Sequence, residues 1–198
     1  MFLGFFKNAD YSNPSVYLKQ GEQTKFIFNE TDLKSFKQEL GEIKLDKDLF
    51  KIITYINLKK NYSSKRKFEK FSRTAKEIFL SGDYSGGCTD YALVFETIAR
   101  QLGIPTIHVQ LADLDWIEDL NSGLNGVRGH HICECYINNK WVCVDVVENN
   151  INGIYEKESL IVGNRKCFAK SLDVFETGIH SLEENNRIMK KLFLRNNN

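Results

Sequence analysis

Gly86-Gly87-Cys88-Thr89-Asp90-Tyr91-Ala92-Leu93-Val94-Phe95-Glu96-Thr97-Ile98-Ala99 is the stretch on which the fold turns. Two glycines interrupt the chain and a cysteine follows at once. Ala92, Phe95, Ala99 and Leu102 then fall with Cys88 on one helical stripe, which Leu93, Val94 and Ile98 widen. A helix this apolar is central and largely enclosed, and it carries the cysteine in its first turn. Gly103 closes it, and Pro105 prevents continuation. At a helix start the unpaired backbone donors and the positive dipole end favour a thiolate, the nucleophilic form of cysteine. Gly86 and Gly87 let the chain turn sharply and leave the sulfur open to a substrate.

Downstream, Thr106 to Leu111 reads as a strand, with Ile107 and Val109 alternating against His108 and Gln110. A polar excursion from Asp113 to Gly129 follows, with one helical turn around Trp116 and Leu120. His130 to Ile137 and Lys140 to Val147 then read as two strands joined at Asn138-Asn139, a hairpin signal. That turn places His130 and Asp145 on one face, directly opposite or one diagonal step apart. A carboxylate beside an imidazole fixes its tautomer and stabilises the imidazolium, as a base paired with a thiol requires. Cys88, His130 and Asp145 are therefore the candidate nucleophile, base and orienting acid. His131, Cys133 and Cys135 share the opposite face of the first strand. They lack a fourth ligand at typical spacing, so they read as core residues, and no metal or cofactor is expected.

Upstream, Thr31 and Asp32 stand as caps before Leu33, Phe36 and Leu40, with Gly41 as a stop. Leu49, Ile52, Ile53 and Ile56 predict a second helix after Asp46. A third is predicted from Ser63 or Ser64 to Gly82, with Phe68, Phe71, Ala75, Ile78 and Phe79 as its buried stripe. Lys59 to Lys76 is strongly basic, yet it lacks outward aromatic interleaving and reads as a solvated helix face. Before Thr31 the one strand-like run is Lys25-Phe26-Ile27-Phe28. Near the C-terminus, Leu160 to Val162 reads as a strand. A helix from Ser181 or Leu182 towards Leu194 precedes an Asn tail that reads as disordered.

At 198 residues and 42% hydrophobic, the chain is long enough to bury one sizeable core. Residues 1–198 are accordingly read as a single domain: a mostly helical region 1–61, a core 62–148 and an extension 149–198. A formal net charge of +1 supplies no field for nucleic acid or an anionic membrane, so neither is an expected partner. The apolar run Phe2, Leu3, Phe5, Phe6 is too short for a signal peptide, and no stretch reaches the length of a membrane span. Five cysteines, an odd number, favour free thiols in a reducing compartment. The cytoplasm is the expected location, or delivery by a route that needs no cleavable signal.

Gly86-Gly87-Cys88-Thr89-Asp90-Tyr91-Ala92, then Ala99-Arg100-Gln101-Leu102-Gly103-Ile104-Pro105, then His130 with Glu134 and Tyr136, and finally Trp141-Val142-Cys143-Val144-Asp145, together resemble the transglutaminase-like superfamily. The resemblance spans residues 62 to 148. It implies an α+β, papain-like core in which the cysteine helix packs against an antiparallel sheet, and a thioester acyl-enzyme on Cys88. Register with Glu134, Tyr136 and Asp145 selects His130 over His131 as the base. Ile132 stands where the family commonly has an aromatic residue. The backbone N–H of Cys88, presented by Gly87, is the natural oxyanion donor, and the resemblance suggests a second donor upstream, for which Tyr84 is the candidate. Asp90 reads as a cap or a brace for its loop. The expected activity is hydrolysis of amide bonds in a protein or peptide substrate. Protein-glutamine acyl transfer or deamidation is an alternative, and a catalytically inert interaction module is a further one.

Overall fold

The apolar stripe around Cys88 is helix α4, Cys88–Gln101, and it is the axis around which the remaining elements pack. The structure, a computed structural model, describes residues 9–25, 28–61, 70–119, 127–152 and 161–194. Before α4 come α1 (Glu30–Leu40), α2 (Leu49–Lys59) and α3 (Ala75–Ser81). After it come β1 (Thr106–Asp113), α5 (Leu114–Asp119), β2 (Gly129–Ile137), β3 (Lys140–Asp145), β4 (Asn150–Asn152), β5 (Ile161–Val162), β6 (Arg165–Ser171) and α6 (Leu182–Leu194). The strands form one antiparallel sheet of order β4-β3-β2-β1-β6-β5. Among the described residues no helix is long and apolar enough to cross a membrane.

The predicted α4 and hairpin are present for the reasons read from the sequence. Gly103 adopts φ +85° after α4, and the Ile104 N–H returns to the Ala99 carbonyl at 2.9 Å. Asn138 and Asn139 sit at φ +51° and +58°, the pair of left-handed residues that a two-residue hairpin turn demands. Leu49, Ile52, Ile53 and Ile56 of α2 are fully buried against α4. One face of the sheet, carrying Cys133, Cys135, Val142 and Val144, closes the same core.

The third predicted helix is corrected. It begins at Ala75, not near Ser63 or Ser64, two residues that lie outside the described segments along with Phe68. Thr74 caps it and accepts from the Glu77 N–H, while Glu77 reaches back to the Thr74 N–H at 2.8 Å. Phe71, counted in its stripe, has φ +70° and packs into a separate cluster with Trp116, Phe168, Met189 and Phe193. The apolar spacing across Phe71 and Ala75 therefore joins two different cores.

Strand β1 differs from a half-exposed strand, because it is buried on both faces. Ile107, Val109 and Leu111 meet Ile132, Trp141, Cys143 and Cys167 on the face away from α4. Residues near the N-terminus cover that face: Tyr11 and Tyr17 pack edge-on against Trp141, at 5.3 and 5.8 Å between centroids. Lys170, buried there, donates to Glu134 Oε1 at 2.6 Å and to the Tyr11 hydroxyl, and Tyr11 donates to Glu134 Oε2 at 2.8 Å. Lys25 and Phe28 belong to no strand, and Phe26 and Ile27 lie outside the described residues, as do Leu120, Leu160 and the Asn tail. Strand β6, unforeseen, pairs with β1 through a register shift between Gln110 and Leu111.

Candidate active site

Gly87 precedes α4 at φ +74° and ψ −139°, a conformation that side chains resist. It delivers Cys88 as the first helical residue, partly exposed, with its backbone N–H free of any partner within the helix. Gly86 is held differently: its N–H donates to Asp90 Oδ2 at 2.7 Å, and a Cβ there would lie 2.3 Å from the Asp90 carboxylate. Asp90 in turn forms a buried ion pair with Arg73, whose other arm lies 3.9 Å from Asp83. Asp83 accepts from the Ser85 N–H at 2.8 Å. The loop that presents the nucleophile is thus clamped from beneath by a carboxylate–guanidinium–carboxylate set. Asp90 is a brace, as one of its two readings had it.

His130 and Asp145 lie on the sheet face away from α4. The His130 Nε2–H donates to Asp145 Oδ2 at 2.6 Å. Asp145 Oδ1 accepts from the N–H groups of Val147 at 3.1 Å and Glu148 at 3.0 Å, so the turn after β3 fixes the carboxylate. Those bonds and the His130 charge outweigh burial and hold the Asp145 carboxyl below its usual range. Cys88 is the other hydrogen-bonding partner of the imidazole. Burial works against ionisation of Cys88, but the His130 bond and charge, a backbone hydrogen bond from His131 and the charge of Lys70 outweigh it. The thiol therefore titrates below an ordinary cysteine. Burial likewise opposes the imidazolium, and Asp145 and Cys88 overcome it, raising His130 to about 9. Both shifts favour a thiolate–imidazolium pair.

The other four cysteines behave oppositely. Burial raises Cys167 to about 11, Cys135 and Cys143 to about 12, and Cys133 well above the ordinary range. Cys133 leans on the Ala92 carbonyl and Cys135 on Thr106, while His131 bonds His108, so these residues of β2 are engaged one by one in the core. His130, Asp145 and Glu148 offer three metal-ligand atoms within 4.8 Å of one another. Two of these residues are already joined by the short hydrogen bond, and Glu148 pairs with Arg165 at 3.4 Å.

Tyr84, the candidate second oxyanion donor, lies buried in the loop that leads into α4. Its ring stacks on Tyr91 at 4.5 Å within the helical core, and its buried hydroxyl has no hydrogen-bond partner among the described residues. Burial, with Tyr91 and Asp90 nearby, pushes that hydroxyl up. Arg73, Glu96 and His108 are site neighbours that the sequence reading missed. The available signal was polarity inside apolar patterns, at Glu96 within α4 and at His108 within β1.

A cysteine at a helix start, coupled to a histidine–aspartate pair on an antiparallel hairpin, defines a mixed α+β protein equipped for thiol chemistry. The family model described as the transglutaminase-like superfamily matches residues 34–146, more than half of the chain, and the chain belongs to that superfamily. The match begins in α1, well before residue 62. A solved structure of a candidate cysteine protease from Cytophaga hutchinsonii superimposes with a TM-score of 0.55 at 17% identity, covering 84% of this chain and 49% of that one. The chain thus spans about half the length of that protein, and the likeness is one of fold. No curated protein matches the sequence.

Proposed function

We propose that the chain is a cysteine-dependent amide-bond hydrolase acting on a protein or peptide substrate. The observation that carries this reading is the connected set Cys88, His130 and Asp145, in which each group favours the charge state that its neighbour needs. The Cys88 thiolate attacks the scissile carbonyl, forming the C–S bond, and the negative charge moves to oxygen near the Cys88 N–H. His130 gives its proton to the leaving amine as the C–N bond breaks, leaving a thioester. Water, deprotonated by neutral His130, then attacks the thioester and releases the acid and the thiolate. Asp145 holds the ring in place throughout. The fold likeness to a candidate cysteine protease favours water as the acceptor.

The test incubates wild type and Cys88→Ala with a mixed peptide and protein library plus a tagged amine, read by mass spectrometry. New Cys88-dependent termini are expected. Amine adducts would move the assignment to acyl transfer, and deamidated glutamines to deamidation. Iodoacetamide labelling of Cys88 at neutral pH no faster than that of an ordinary exposed thiol would overturn the activated nucleophile and leave an interaction module.

A further inference from the structure

Beneath α4 runs a second polar chain, on the sheet face opposite His130. Glu96 of α4 contacts His108 of β1, Oε2 to Nδ1 at 2.9 Å, and His108 Nε2 lies 2.8 Å from His131 Nδ1 on β2. Glu96 and His108 are completely buried, and Phe71 covers His131 at 5.7 Å between ring centroids. Three elements are tied by directional bonds here: the helix bearing Cys88, the strand beside it, and the strand bearing the base. The backbone N–H of His131 is itself a partner of the Cys88 sulfur.

The proton positions follow from charge. Arg100 lies 3.8 Å from Glu96 Oε2, the one ion pair that Arg100 makes among the described residues, and it spends its other donors on the carbonyls of Thr106 and Leu172 and on Thr24. One guanidinium stands against one carboxylate, so the set needs no further positive charge for balance. Burial raises the Glu96 carboxyl above its usual range and Asp173 adds to this, while His108 and Arg100 offset only part of the shift. A protonated Glu96 would leave Arg100 without its counter-charge. Burial, helped by His108, His130 and Lys70, holds His131 well below the ordinary imidazole range. A carboxylate only accepts, so His108 donates from Nδ1. Neutral His108 then accepts at Nε2, and His131 must donate from Nδ1.

We propose that Glu96, His108 and His131 form a positioning relay that locks the Cys88 helix in register with the strand bearing His130, with both imidazoles neutral and protonated on Nδ1. Apolar packing is non-directional and does not by itself pair particular polar atoms across a helix and a sheet. A 2.9 Å bond followed by a 2.8 Å bond does, and either is lost within an ångström of displacement. The relay thereby keeps the His131 N–H on the thiolate. A single added proton would reverse the chain, turning His131 Nδ1 from donor to acceptor.

This inference rests on Cys88 as the nucleophile, and the experiment separates the two. Ring-nitrogen correlation spectra of 15N-labelled wild type at neutral pH are expected to show His108 and His131 as Nδ1–H tautomers. An Nε2–H tautomer or a charged ring at His131 would overturn the relay, whatever any variant does. His108→Phe keeps the ring volume and cuts the chain, whereas Glu96→Gln keeps an acceptor for His108. In His108→Phe the iodoacetamide labelling rate of Cys88 at pH 6 is expected to fall about tenfold and its pH profile to move up by about one unit, the order of one lost hydrogen bond to a charged group. Glu96→Gln should shift the profile less, and in both variants kcat should fall with KM unchanged. A folded His108→Phe with the wild-type profile sinks the relay and leaves the triad standing. Absence of fast Cys88 labelling in wild type sinks the triad reading itself.

Discussion

His130 and His131 are consecutive residues in opposite electrostatic situations. Each donates to a chain ending in a carboxylate, Asp145 on one face of β2 and Glu96 on the other. The His130 chain is short, lies at the rim of the sheet and ends on a thiol that gains from positive charge, so the imidazolium is favoured. The His131 chain is longer and sealed, and its carboxylate is already matched by Arg100, so added positive charge is refused. Strand alternation alone separates the two rings. The lesson is that an identical residue type is drawn towards charge or away from it according to the charge at the far end of its chain.

The largest effect that would break this contrast is expected at Asp145. Asp145→Asn removes the charge that supports the imidazolium, and amide turnover should fall on the order of a thousandfold or more, measured as kcat on a peptide that wild type cleaves. In the same variant the His130 ring should titrate at lower pH. Next in size is the loop clamp. Asp90→Asn removes the nearer of the two carboxylates that flank buried Arg73, and urea unfolding should register a loss of about 3 kcal/mol, with Gly86 losing its charged acceptor.

Sensitivity to pH sharpens the contrast further. His130 is raised above its unfolded value, so its charge-dependent contribution is fully present below about pH 6.5 and is lost as pH rises through about 9. The activity profile is therefore expected to have its alkaline limb near pH 9, whereas His131 should stay neutral throughout. A flat profile through that region would remove the ion pair from the mechanism. The smallest effect is a control away from both rings. Thr74→Ala should cost about 1 kcal/mol of stability in thermal or urea unfolding and leave the Cys88 labelling rate unchanged.

Helix α4, the hairpin and the three candidate catalytic residues were legible because each rests on a local signal: a helical stripe, an Asn-Asn turn, a glycine pair before a cysteine. The sheet shows where such signals stop. In β6, Cys167, Phe168 and Ala169 run together without alternation between charged ends, and Lys170 is buried where Glu134 of β2 and Tyr11 accept its hydrogen bonds. Arg73 sat within a basic run and was indistinguishable there from a solvated charge, since its value comes from Asp90 seventeen residues on. The resemblance offers Tyr84 as an upstream donor, whereas its stacking on Tyr91 has no local signal in the sequence. Tyr11 and Tyr17 were unreadable because their partners Glu134, Trp141 and Lys170 lie far along the chain.

That last feature constrains the order of events during synthesis. Tyr11 finds Lys170 only after 159 further residues have been made, and β1 gains its second neighbour only when β6 emerges. A nascent chain that has already assembled α1 to α4 and the hairpin therefore waits, with one side of β1 and the back of its sheet uncovered, until β6 joins them. Chaperone occupancy on stalled intermediates should be highest in that interval and should fall once residue 171 has cleared the ribosome.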